Sequence, residues 1–208
     1  MDGVFMKKLL KITALCILTA VLLWCGSVVR DRMTLREKVI RLHVVADSDD
    51  AADQAYKLQV RDAVTAYLAE NMDTNISQNQ AKLWLEENLE ELTQVANATL
   101  HEAGAGDRAA VSLAREAFPV RHYDTFSLPS GVYDSLRITI GAGEGKNWWC
   151  VIFPSLCVSA ASETVADTAA GAGFSDGLTG AIQGQPGYEI RFFFLDWLGK
   201  VENFLFSR

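Results

Sequence analysis

Eighteen consecutive uncharged residues, Ile12 to Val29, follow lysines at Lys7, Lys8 and Lys11, and Arg30 ends the run. As a helix rising about 1.5 Å per residue this stretch reaches roughly 27 Å, just short of the ~30 Å hydrocarbon core of a bilayer. A basic segment ahead of an apolar one is the pattern of an export signal. No A-x-A cleavage site follows, and Trp24 beside Cys25 is a poor approach to a lipid-modified cysteine. Residues 1–29 therefore read as a signal-anchor ahead of a removed export peptide. Arg30, Arg32, Arg36, Lys38 and Arg41, just past the run, outnumber the preceding lysines and argue for the opposite orientation. The early basic segment outweighs them, because an N-terminal signal usually inserts with its basic end in the cytoplasm. The competing reading is a buried core helix. Apolar on every side, it would need a large enclosing surface, and 208 residues leave little room for one.

Charge falls unevenly along the chain. The net charge of -7 divides into +2 on residues 1–29 and -9 on residues 30–208. No dense Lys/Arg run interrupts the acidic part, which excludes nucleic acid as a partner class. With half its residues apolar, the chain has enough to build a core, and neither a disordered chain nor a many-span membrane protein fits. Cys16 and Cys25 lie in the apolar run. Cys150 and Cys157 are the only other thiols, and an even count outside the cytosol suggests a disulfide. The chain must reverse between them, and Phe153-Pro154-Ser155 offers the turn. Two buried thiols on neighbouring strands are the alternative; no second closely spaced Cys or His pair supports a metal.

Periodicity places the elements. Residues 39–46 alternate, with Ile40, Leu42, Val44 and Ala46 on one side and Arg41 and His43 on the other, as a half-buried strand does. Asp47-Ser48-Asp49-Asp50 supplies turn and N-cap chemistry for a helix whose stripe is Ala52, Tyr56, Val60, Val64 and Tyr67. Its other side carries Gln54, Lys57, Arg61 and Asp62. Ser77-Gln78-Asn79-Gln80 matches a capping box and opens a second helix, with Ala81, Leu85, Leu89, Leu92, Ala96 and Leu100 on one face. Strand patterns follow at residues 109–115, 135–140 and 148–153, with Pro- and Gly-marked turns between. The fold expected is α+β: an N-terminal signal or anchor helix, then a small mixed or antiparallel sheet covered on one face by two amphipathic helices. Residues 30–158 form that domain. Residues 159–187 lack Lys and Arg, and 19 of the 29 are Ala, Gly, Ser or Thr, the composition of a linker or loose excursion. Residues 188–208 read as a strand through Phe194 and then a short helix. Their aromatic density suits docking on the core, a membrane-interface anchor or a filler of a partner's groove.

Three stretches carry a family resemblance. One is Ile40-Arg41-Leu42-His43-Val44-Val45-Ala46-Asp47-Ser48-Asp49 with its continuation to Val64. Another runs from Phe118-Pro119 through Arg121 and Tyr123 to Leu128-Pro129-Ser130-Gly131-Val132-Tyr133. The most specific is Gly145-Lys146-Asn147-Trp148-Trp149-Cys150-Val151-Ile152-Phe153-Pro154-Ser155-Leu156-Cys157. Together they resemble stage II sporulation protein R, an exported signalling family of endospore-forming bacteria. Asp47 and Ser155 depart from its pattern, where Asn and a second Pro are usual. The resemblance implies export from the forespore into the space between the two septal membranes. It also implies a partner there: a membrane-embedded aspartic protease of the mother cell, which the family triggers to trim a sigma-factor precursor.

Two classes of function are then open. As a non-catalytic activator the domain would contact the protease through Arg121, Tyr123, Lys146, Asn147 and one indole of Trp148 and Trp149, with His43, Asp47, Ser48 and Asp49 as a second edge. Aromatic residues beside a cation are typical interface anchors. As an exported hydrolase of envelope material it would use His43, Asp47 and Asp49 as an acid/base group. N-capping by Ser48 or Asp49 and a satisfied polar His43 account for the same residues without chemistry. Gly141, Gly143 and Gly145 lack the strand-before, helix-after context of a phosphate loop, and Ser130-Gly131 lacks a nucleophile elbow's glycines. No cofactor, metal or small-molecule substrate is expected. The membrane is a partner through residues 12–29 if they are retained.

Overall fold

A computed structural model describes residues 3–73, 76–154 and 164–207. The apolar run does not end at Arg30. Helix α1 (Gly3–Lys38) continues 36 residues without a break. Its first part is bare: Leu10, Leu15, Leu18 and Leu22 are all more than half exposed. Its last turns enter the protein, where Val28 is 2 % and Leu35 0 % exposed. The boundary expected at residue 29 thus falls within one helix, and residues 30–38 carry that helix on from its bare part into the core.

Strand β1 (Ile40–Val45) follows and sits inside a four-stranded sheet with β2 (Ala109–Phe118), β5 (Gly131–Ile140) and β6 (Asn147–Phe153), in the order β2-β5-β1-β6. Its neighbours are β5, parallel, and β6, antiparallel; β2 pairs antiparallel with β5. The sheet is mixed, within the α+β class expected. A short hairpin of β3 (Arg121–His122) and β4 (Ser127–Leu128) links β2 to β5.

One face packs against α2 (Ala51–Asn71), α3 (Gln78–Glu87) and α4 (Leu89–Glu102) through Leu42, Val44, Leu136, Ile138, Val60, Leu85 and Leu92. The capping box at Ser77 forms as the sequence predicts, with Gln80 reciprocating. The second expected helix is two, because Asn88 interrupts it: its side-chain amide donates to the Trp84 carbonyl at 2.7 Å and its ψ of 15° leaves the helical range.

The other face is covered too: residues 188–208 dock on the core, one of the readings their aromatic density allows, but with helices the sequence pattern did not predict on this face. The end of α1, α6 (Asp176–Ile182) and α7 (Glu189–Phe206) close over Phe118, Tyr133 and Val151. Every residue of β1 is consequently buried, Arg41 completely. Two expectations for the C-terminal part are corrected here. Within the stretch read as a linker, α5 (Thr164–Gly171) and α6 are helical, and Ala169, Leu178 and Ala181 are core. Alanine favours helix, and small side chains allow close packing. The stretch read as a strand is the first part of α7. Its Phe192-Phe193-Phe194 run has strand propensity, but tertiary docking of a helical face overrides it.

That docking is specific. Gly199 lies so close to the β4–β5 turn that a Cβ there would sit 1.6 Å from the Ser130 carbonyl oxygen. Ser130 donates its backbone N–H to Asp196 at 2.9 Å, and Asn203 donates to the Phe118 carbonyl at 2.8 Å. Asp31 on α1, 4 % exposed, receives Arg191 at 2.6 Å and the Ser175 hydroxyl at 3.0 Å. Glu202 is paired with Arg32 and Arg36.

Candidate functional site

The loop of residues 141–146 must pass over the C-terminal end of β1, because β1 lies between β5 and β6. This crossing explains Asp47, Ser48 and Asp49. The Asp47 carboxylate accepts the Ala142 N–H at 2.5 Å, and the Asp47 carbonyl accepts the Glu144 N–H at 3.0 Å. Asp49 accepts the Lys146 N–H at 2.8 Å and lies 3.6 Å from its ammonium. The Ser48 hydroxyl donates to Asp53 at 2.5 Å and accepts the Asp50 N–H at 3.1 Å. Gly145 makes the close crossing possible, since a Cβ there would meet the Ser48 carbonyl oxygen at 2.2 Å. The N-cap of α2 is Asp50, with no side-chain cap bond, so neither Ser48 nor Asp49 has the capping role expected. Lys57, expected on the open side of α2, is 5 % exposed and donates to the Lys146 carbonyl at 2.9 Å. Burial lowers its pKa, while Asp49 opposes the fall.

His43 does not join these carboxylates. It points to the opposite sheet face and is 8 % exposed. Its Nδ1 lies 3.2 Å from both Glu116 oxygens and its Nε2 2.7 Å from Asn147 Oδ1. Arg137, in register with His43 on the parallel neighbour, donates to the same Glu116 at 2.7 Å. Burial pushes the Glu116 carboxyl up. Hydrogen bonds from His43 and Arg137, with the charge of His43, outweigh that and hold it at about 2. The His43/Asp47/Asp49 edge is therefore not assembled as an acid/base group, and the carboxylate that His43 meets is one the sequence reading missed. Strand alternation puts Glu116 on the same face as Phe118, but only the β2–β5 pairing brings it to His43.

A basic and aromatic stack lies beside this cluster. Arg41 donates to the Tyr123 hydroxyl at 2.8 Å, and its guanidinium sits 4.1 Å from the Phe118 ring centroid. Tyr123 donates to the Trp149 carbonyl at 3.5 Å, and the Arg121 guanidinium lies 3.6 Å over the Trp149 ring. Thus His43, Arg121, Tyr123, Asn147 and Trp149 come together on one side of β6. Trp148 points to the other side, 37 % exposed, under the Arg61 guanidinium at 4.3 Å. Neither indole is fully buried, and Trp148 is the outward one. Cys150 is buried in β6; Cys157, and with it the expected bridge, lies outside the described residues. Among the described residues no group of three or more His, Cys, Asp and Glu side chains is arranged to hold a metal.

These features define a class: an α+β domain seated on one long apolar helix, with its polar side chains committed to holding loops and strands in place and an indole left outward at a sheet edge. Residues 36–163 match the family model described as stage II sporulation protein R, and the chain belongs to that family. It is also 34 % identical over 125 residues to the stage II sporulation protein R of Bacillus subtilis (strain 168), a match covering 60 % of this chain and 56 % of the relative. The chain thus spans little more than half the length of that curated relative. No solved structure matches it. Membership assigns the chain to sporulation, and its apolar α1 is compatible with an export signal or an anchor.

Proposed function

We propose that this chain is an exported sporulation signal that works by binding. Made in the forespore and carried across its membrane, it docks on a membrane-embedded aspartic protease of the mother cell and favours the active arrangement, so that a sigma-factor precursor is trimmed. Activation of this kind requires tighter binding to the active state than to the resting one. The observation that carries the reading is Trp148, an indole held outward at the edge strand with Arg61 stacked on it and Lys146 and Asp49 close by in sequence and loop contact. The Lys146 and Asp49 side chains are 72 % and 59 % exposed, which gives the platform a charged rim. A Cys150–Cys157 bond belongs to the same reading, since export gives it an oxidising setting; unreduced mass spectrometry of the mature protein tests it.

Co-expression of the protease and its precursor with this chain tests the docking. Trp148→Ala, in protein with an unchanged melting temperature, is expected to abolish or strongly reduce trimming. Glu116→Gln, which alters the internal cluster and leaves the platform in place, is expected to retain it in whatever fraction stays folded. Full trimming with Trp148→Ala would overturn the docking surface. Turnover of peptidoglycan fragments or ester substrates by purified wild type, lost with Glu116→Gln, would replace the binding role with an enzymatic one.

A further inference from the structure

The C-terminal helix carries more apolar surface than its docking uses. Leu195 and Gly199 face the protein, yet Ile190, Phe193, Phe194 and Trp197 are 66 %, 64 %, 37 % and 52 % exposed. Their spacing of three and four places them on one stripe over the first turns of α7. Such a patch on a folded protein calls for an occupant.

Its position indicates which one. Phe194 packs edge-on against Trp24 of α1, centroids 5.2 Å apart, and Phe193 packs edge-on against Phe194 at 5.7 Å. Trp24 stands at the end of the bare part of α1. From Ile12 to Leu23 the helix is uncharged and outward, about 18 Å at 1.5 Å per residue, and Phe5, Met6, Leu9 and Leu10 extend the outward apolar surface to about 28 Å, with Lys7, Lys8 and Lys11 among them at the end where long basic side chains snorkel. Beyond Trp24 the helix turns polar and enters the protein: Arg30 is exposed, Asp31 and Arg32 are buried. The aromatic cluster at the start of α7 is thus continuous with the lipid-compatible surface of α1, while exposed Val201, Phe204, Leu205 and Phe206 carry the stripe beyond that level. Glu202 reaches Arg32 and Arg36, further along α1, so the later turns of α7 lead away from this level.

We infer that the first turns of α7 form an interfacial collar: Ile190, Phe193, Phe194 and Trp197 sit in the headgroup layer of the bilayer that α1 enters, beside Trp24. The aromatic rings suit that layer, being apolar with polarisable faces, and Arg30 lies where lipid phosphates would be. The domain is acidic, so the attraction comes from apolar burial and needs no anionic lipid. The inference rests on export as proposed above and on α1 being retained in the bilayer as the signal-anchor that the sequence favours.

The test uses the full chain in phosphatidylcholine vesicles whose acyl chains carry bromine at a shallow or a deep position. Subtracting the emission of Trp197→Phe isolates Trp197; subtracting that of Trp24→Phe isolates Trp24. Both substitutions keep an aromatic ring at a site that is not fully buried. Expected is roughly twofold quenching of Trp197 by shallow bromine and much less by deep bromine, the signature of a group ~5–10 Å into the interface. Quenched Trp24 with unquenched Trp197 would overturn the collar and leave the anchor standing. Failure of both to quench would overturn the two together. Oxidative cross-linking of Phe193→Cys into dimers above the parent background, with Trp197 unquenched, would assign the stripe to a second copy instead.

Discussion

Glu116 is the most informative residue to perturb. It lies between two basic side chains, receiving Arg137 at 2.7 Å and facing His43 at 3.2 Å, with its side chain 15 % exposed. Its carboxyl falls from the ordinary 4.5 to about 2. A carboxyl held lower in the fold than in the unfolded chain stabilises the fold above the unfolded value. That contribution is lost as pH falls from 4.5 towards about 2. At about 1.4 kcal/mol per pH unit the full effect is about 3 kcal/mol. Arg137 is 38 % exposed, and screening there brings the expectation nearer to about 2 kcal/mol. Urea unfolding of wild type and Glu116→Gln in detergent micelles, followed by circular dichroism, measures it. At neutral pH the variant should be less stable by about 2 kcal/mol, and the gap should shrink to under half by about pH 3 and close near about pH 2. A gap that stays constant through that range, or no gap at neutral pH, would refute the assignment of the low carboxyl to this cluster.

Three further outcomes follow from the second core. Arg191→Ala strands Asp31 at 4 % exposure, and melting of the full chain should show a loss of about 3–5 kcal/mol. Gly199→Ala drives a Cβ into the Ser130 carbonyl, so α7 should lift from the β4–β5 turn. Limited proteolysis should then release the C-terminal segment from the variant well before it cuts wild type. Leu35→Ala, at a position 0 % exposed on the end of α1, should cost about 2–5 kcal/mol, as a core leucine does. A loss under about 0.5 kcal/mol would show that the end of α1 is not part of the core.

Legibility in the sequence tracked the range of the interaction. The strands β1, β5 and β6, helix α2 and the Ser77 capping box rest on local alternation, 3.6-residue spacing and cap chemistry, and each was readable. Asn88 acts locally too, but an asparagine inside an amphipathic pattern is ordinarily tolerated. The second helical layer was hidden, because Ala- and Gly-rich α5 and α6 carry little periodic signal and the triple phenylalanine of α7 suits a strand equally well. Of the candidate site, the outward indole was anticipated. The partners of His43 were not, since Glu116 is 73 residues away in sequence and meets it only through strand order. Asp47 and Asp49 read locally as an acidic turn that caps a helix, whereas in the fold they hold the 141–146 loop, a role set by strand order, and Asp50 takes the cap position.

Helix α1 passes from its bare part into the core as one uninterrupted helix. A domain mounted in this way has no tether to swing on. Its height above a surface and its heading about the helix axis are set together, so a target within reach must approach from one bearing. Under the proposal that α1 stays in the bilayer, the domain is a fixed beacon, and the volume it can sweep is small compared with that of a freely diffusing messenger.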